Sequence, residues 1–212
     1  MRKVALFAPG FILLLVTVAH SQQIDIAAGG GTLLSSSPNS TSENLQAPAE
    51  KGGTYINISG DYVRAKRHLG LELETAWRYR KASYPNNGET YRPFLSDINV
   101  IFQPDVSKKV SPALAQKIGI DLMGGIGIAS TRFYGLNSSS CSNPVVGCVN
   151  YTGSNHFMED LGAGFRYYVW HRLPSLFVRP EIHYYHIQNN REFNSDNVFR
   201  ASVSIGFTIH PH

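Results

Sequence analysis

From residue 54 to the C-terminus, apolar and polar residues alternate with a period of two over stretches of strand length. In Leu69–Arg80, Leu69, Leu71, Leu73, Thr75, Trp77 and Tyr79 share one face, while Glu72, Glu74, Arg78 and Arg80 share the other. A helix would scatter both sets around its circumference, so the pattern specifies a strand. The stretch is long for a globular strand and close to the ~9–11 residues that cross a bilayer as tilted β-structure. The pattern predicts an all-β fold, an antiparallel up-and-down transmembrane β-barrel.

The alternation recurs. Ile56, Ile58 and Tyr62 oppose Asn57, Ser59 and Asp61, and Ile98, Val100 and Phe102 oppose Asp97, Asn99 and Gln103. Leu122, Ile126 and Ile128 oppose Asp121, Gly125 and Gly127; Leu161, Phe165 and Tyr167 oppose Asp160, Gly164 and Arg166. Val178, Ile182 and Tyr184 oppose Arg179, Glu181 and His183, and Val203, Ile205 and Phe207 oppose Arg200, Ser202 and Ser204. Ile24–Ala28 is a weaker first strand, followed by Gly29–Gly31, which reads as a strand bend. The total is about eight strands, the size of the smallest outer-membrane barrels. Long polar connections (35–52, 81–92, 137–156, 188–197) alternate with the short turns 65–67 and 171–175, as outer loops and periplasmic turns must. The connection 103–116 is longer than that rule expects.

Alternation leaves open which face meets water, and a soluble lipocalin-like ligand-binding barrel would put the apolar side chains inside. Three features favour the membrane version. Aromatic residues gather near strand ends (Tyr62, Trp77, Tyr79, Phe94, Phe102, Tyr167, Tyr184, Phe207), as an interfacial girdle requires. Glycines concentrate on the polar face of two strands, where a narrow lumen is crowded. Opposite charges also share that face. The expected lumen network is therefore Glu72, Glu74, Arg78, Arg80, Asp97, Asp121, Arg166, Arg179, Glu181 and Arg200, plugging the barrel rather than leaving a porin-like channel.

The N-terminus fixes the route. Arg2 and Lys3 precede an apolar run from Val4 to Val18 and then Ala19-His20-Ser21, the order of a secretory signal peptide spanning 1–21 with cleavage near Ser21. The barrel domain is then 22–212, in a bacterial outer membrane. Removing the signal lowers the formal charge of +4 by two, and no basic cluster sits beside stacking aromatics, so a nucleic-acid partner is not expected. The two cysteines, Cys141 and Cys148, lie close together in a Ser/Asn/Pro/Gly-rich connection of an exported chain and are expected to form a disulfide.

Gly162–Val169, Phe177–Tyr185 and Ser202–Thr208 resemble the last three strands of the small outer-membrane β-barrel domain family, the relatives of OmpA, OmpX and the opacity proteins. The resemblance implies a Gram-negative-type outer membrane with contact to its lipid, insertion by the barrel-assembly machinery, and often no assigned activity. No cofactor is expected, and because recognition concentrates in loops on rigid scaffolds, the expected role is non-enzymatic, structural or surface-interacting, with the outer loops as the place for an extracellular ligand. The terminal strand departs from the family in running past Phe207 to His210-Pro211-His212.

Candidate chemistry is sparse. His186 and Asn189 match in spacing the His-x-Ser-Asn motif of outer-membrane lipid A deacylases, the alternative functional reading, but Gln188 stands where the nucleophilic serine would be. His156, His183, His210 and His212 fall on separate strands and ends, which defines no metal site. Gly124–Gly127 lies inside an alternating strand and opens no helix, so it is no phosphate loop. The Asn-x-Ser/Thr matches at Asn39, Asn57, Asn137 and Asn150 are those expected by chance in a Ser/Asn-rich chain.

Overall fold

In a computed structural model of the chain, the residues described are 22–35, 52–64, 68–83, 90–105, 111–115, 117–135, 150–170, 175–190, 193 and 196–209. The expected signal peptide, the Cys141–Cys148 pair and the C-terminal His210-Pro211-His212 lie outside them. Among the described residues nine strands are formed: β1 (Gln22–Ser35), β2 (Tyr55–Arg64), β3 (Leu69–Arg78), β4 (Ala82–Ser83), β5 (Thr90–Phe102), β6 (Ile118–Gly135), β7 (Asn150–Trp170), β8 (Ser175–Ile187) and β9 (Asn197–Ile209). Every pairing is antiparallel, and β1 closes the circle by pairing with both β2 and β9. The two-residue β4 only extends the edge of β5, because β3 itself pairs with β5; the barrel proper has eight strands. Closure leaves no free edge around the eight-strand ring, while β4 and residues 150–157 of β7, beyond it, are paired on one side alone among the described residues.

Burial follows the parity of the sequence strand by strand. In β5, Tyr91, Leu95, Asp97, Asn99 and Ile101 are buried, whereas Phe94, Ile98, Val100 and Phe102 are exposed. The polarity is that of a membrane barrel: Leu161 is 64% exposed and Ile126 57%, while Arg166, Arg179 and Arg200 are each 0% exposed. A lipocalin-like barrel requires the reverse, so that alternative is excluded by the orientation of the side chains. The outward aromatics form two belts. Tyr62, Phe102, Tyr167 and Phe207 ring the end that carries the chain termini, and Trp77, Tyr79, Phe94 and Tyr184 the opposite end, where the long connections lie.

Three boundaries differ from the sequence expectation. β1 runs for 14 residues straight through Gly29–Gly31, paired on both sides, so the glycines are not a bend. β6 and β7 have 18 and 21 residues, and residues 150–156, expected in a loop, belong to β7. Their polar sequence (Asn150, Thr152, Ser154, Asn155) carries no apolar face, because this part of the hairpin lies beyond the apolar band. β3 stops at Arg78 rather than Arg80. Within β8, Pro180 has no N–H to donate toward β7, and the ladder there passes from Gly164–Glu181 to Tyr167–Val178.

Interior crowding explains particular glycines. A Cβ at Gly206 would stand 2.8 Å from the Cβ of Ala27 and run into the ring of Phe177, its partner on the neighbouring strand. At Gly125 it would lie 2.7 Å from the Cα of Asn99. These positions hold glycine because the neighbouring strands already occupy the space.

Candidate functional site: a charged and sealed lumen

Inward positions of all eight barrel strands converge on buried guanidinium centres. Arg166 (β7) lies between Asp25, Asp61 and Asp121, with Asp61 at 2.7 Å and Asp121 at 2.5 Å, and its guanidinium carbon stands 5.0 Å from the centre of the Phe177 ring. Gln103 donates to Asp121 at 2.9 Å, and Gln23 to Asp25 at 2.7 Å. Arg179 (β8) meets Asp61 at 2.9 Å, Glu72 at 2.9 Å and Glu181 at 2.8 Å, and donates to Ser59 Oγ at 2.9 Å. Asp61 bridges the two arginines. Toward the loop end, Arg200 (β9) pairs with Glu74 at 2.5 Å, and Asn57 donates to Glu74 at 2.9 Å and to Glu181 at 3.0 Å. His183 Nδ1 is 2.9 Å from Asp160, and its ring stacks on Tyr185 at 5.7 Å. Asn99 donates to Asp97 at 2.9 Å.

Among the described residues the buried carboxylates are Asp25, Asp61, Glu72, Glu74, Asp97, Asp121, Asp160 and Glu181, against three arginines and His183. That excess makes the interior acidic, so any ion path through it would favour cations. Above the network an apolar layer closes the loop end: Leu33, Tyr55, Ala76, Leu95, Met158, Ile187 and Val198, all essentially inaccessible. A second cap lies beyond it, where Phe193 packs on Tyr91 at 5.0 Å and on Phe133 at 6.3 Å.

Of the ten residues expected in the lumen network, Glu72, Glu74, Asp97, Asp121, Arg166, Arg179, Glu181 and Arg200 are all buried there. Arg78 and Arg80 are not part of it. Arg78 shares the parity but sits at the rim, half-buried, its guanidinium carbon 5.9 Å from the Tyr91 ring centre. Arg80 lies past the end of β3 and is exposed, so strand parity no longer applies to it. Sequence reasoning left out Asp25, Asp61, Asp160 and His183. Parity marked Asp61, Asp160 and His183 as inward, whereas Asp25 was hidden in a strand with a weak apolar signature.

Glu74, Glu181 and His183 offer ligand atoms within 4.8 Å of one another, but Arg200 already occupies the space beside both carboxylates, at 2.5 Å and 3.9 Å. A cation there would have to displace a buried guanidinium. The residues of the deacylase comparison lie outside the barrel: His186 Nδ1 is 3.1 Å from Asn197 Oδ1, Gln188 contacts Glu159 at 3.5 Å, and Asn189 is exposed in the left-handed region (φ 56°). No nucleophilic side chain is bonded to His186 among the described residues.

No protein-family model matches the sequence, and no curated protein sequence matches it. Solved structures do match. Ail, the attachment invasion locus protein of Yersinia pestis, in complex with the heparin analogue sucrose octasulfate, superposes with a TM-score of 0.56 at 10% identity, covering 90% of this chain and 100% of Ail. Neisserial surface protein A gives 0.54 at 12% identity over 90% and 97% of the two chains. The fold is that of the small outer-membrane β-barrels. A major outer membrane protein of Thermus thermophilus shares it, with a TM-score of 0.53 at 12% identity, covering 90% of this chain and 100% of that one. At such identities the likeness is one of barrel architecture, which is what the alternation encodes.

Proposed function

We propose that the chain is a non-enzymatic outer-membrane barrel, a structural or surface-interaction scaffold whose specificity resides in the connections at its loop end. The observation that carries this reading is the inversion of polarity: a continuous outward band of Ile, Leu, Val and Phe around an interior filled with buried charge. Only a lipid solvent makes that arrangement stable. On this reading residues 1–21 are the export signal, the barrel-assembly machinery inserts the mature chain, and both termini lie in the periplasm. Cys141 and Cys148 are joined in the third outer loop. Loops on rigid scaffolds are where recognition concentrates, and an extracellular ligand would bind there. Ail, similar in fold alone, is a protein solved with a sulfated ligand.

Expression in a Gram-negative host, fractionation and gel migration with and without boiling test the reading. Recovery with outer membranes and a heat-modifiable band are expected. Recovery as a detergent-free periplasmic monomer would overturn it. Release of fatty acid from lipopolysaccharide, lost on His186→Ala, would replace the scaffold role with an esterase whose nucleophile lies outside the motif.

A further inference from the structure

On the outer wall of the barrel, at the loop end of the apolar band, β5 and β6 place Arg92 and Arg132 directly opposite each other. Both point outward, by parity with Phe94 and Ser130. Two like charges set across a ladder concentrate positive potential at one point of the wall, where an anion is attracted. Arg92 is held in place by its Nη2, which donates to the carbonyl of Tyr79 at 3.1 Å, leaving its Nε buried with no hydrogen-bond partner. A third cation closes the set: Lys81 Nζ stands 3.7 Å from the ring centre of Tyr134. Arg92, Arg132, Trp77, Tyr134 and Gly153 line a groove of about 560 Å³, and among the described residues no carboxylate lines it.

Below these cations the same two strands turn a mainly apolar surface outward, interrupted only by Ser96 and Ser130. Phe94 is 42% exposed, Ile98 58%, Ile126 57% and Ile128 54%. A ligand that matches the whole surface therefore has an anionic head at the arginines and hydrocarbon running down the wall. We propose that this groove binds the phosphate of a membrane lipid headgroup in the leaflet at the loop end, with acyl chains lying along Phe94, Ile98 and Ile128. Two guanidiniums facing one another match a phosphate monoester dianion, which accepts hydrogen bonds from both, better than a diester. Trp77 and Tyr134 flank the head, where aromatic side chains prefer the water–lipid boundary. Gly153, opposite Arg132 on β7, leaves the groove open: a Cβ there would meet only the Thr131 carbonyl, at 3.8 Å.

The proposal rests on the outer-membrane reading, and the experiment separates the two. The full mature chain is folded into micelles of a zwitterionic detergent, and native mass spectrometry follows binding of phosphatidic acid, phosphatidylcholine and inorganic phosphate. Wild-type protein is expected to retain phosphatidic acid in preference to phosphatidylcholine, and inorganic phosphate is not expected to compete at equal concentration. Arg92→Gln with Arg132→Gln, and separately Gly153→Glu, which adds a carboxylate opposite Arg132 without crowding, should each weaken phosphatidic acid binding about ten-fold or more, the loss of one or two charge-assisted hydrogen bonds. Heat-modifiability should be unchanged in both. Equal binding by wild type and both variants overturns the proposal while leaving the membrane reading intact. Competition by inorganic phosphate alone would make the site a soluble-anion site, also against it. A chain that needs no detergent would defeat the underlying reading instead.

Discussion

The two levels of the barrel interior are filled by different physics. The level around Arg166, Arg179 and Arg200 is directional, each guanidinium held by carboxylates on other strands and the three centres tied together by Asp61, Asn57 and Glu181. The level around Leu33, Leu95, Met158 and Ile187 is non-directional and depends on volume. Charged groups fix strand register, because a slip by one residue would turn every carboxylate toward lipid. Apolar packing instead seals the loop end. Removing one member of the first level strands its partners in a dry interior, whereas removing one from the second leaves only a void. The two should respond differently to the same kind of truncation.

The largest difference is expected at Arg179. Arg179→Met leaves Asp61, Glu72 and Glu181 without their common cation and should cost about 3–5 kcal/mol where water is excluded. Urea-dependent unfolding in micelles, read by tryptophan fluorescence and gel shift, measures it. Adding Glu181→Gln should recover part of that loss, since the cost is uncompensated charge. Failure of the second substitution to recover anything would mean that the level is packed by shape and not by charge.

A smaller loss is expected in the apolar level. Leu95→Ala should cost about 2–3 kcal/mol in the same assay, from lost transfer energy and the residual cavity. Leu95→Met, similar in volume, should be nearly neutral. If Leu95→Asn were tolerated equally, the layer would be wet and the seal absent.

The smallest effects should come from residues outside both levels. Arg80→Ala is exposed beyond β3 and should change stability by less than about 0.5 kcal/mol, in contrast to Arg179 on the same sequence pattern. Cys141→Ser should likewise leave insertion and the gel shift intact, while increasing protease cleavage between residues 136 and 149. Two titratable thiols in the unreduced protein would show that no bridge forms.

The contrast between Arg179 and Arg80 also marks how far the sequence was legible. Period-two alternation specified the strands, their inward and outward faces and most of the lumen charges, because a barrel gives each side chain one of only two environments. It misplaced Arg78 and Arg80, since parity says nothing about where a strand rises out of the band. It shortened β1, where Gly29, Gly30 and Gly31 erase the apolar signature that pairing with β2 and β9 makes unnecessary. It treated residues 150–156 as loop because a hairpin in water needs no apolar face. Convergence of Asp25, Asp61 and Asp121 on Arg166 depends on closure of the circle, a long-range event that no local pattern encodes.

A barrel whose interior is filled by paired charge and sealed by an apolar layer is expected to be closed to ions. Single-channel recording in planar bilayers, on protein whose insertion is verified by its heat-dependent gel shift, tests this most directly. The account predicts no stable openings of porin size, with any residual current small and cation-selective because carboxylates outnumber guanidiniums inside. Sustained porin-sized conductance from the folded, inserted chain would contradict it.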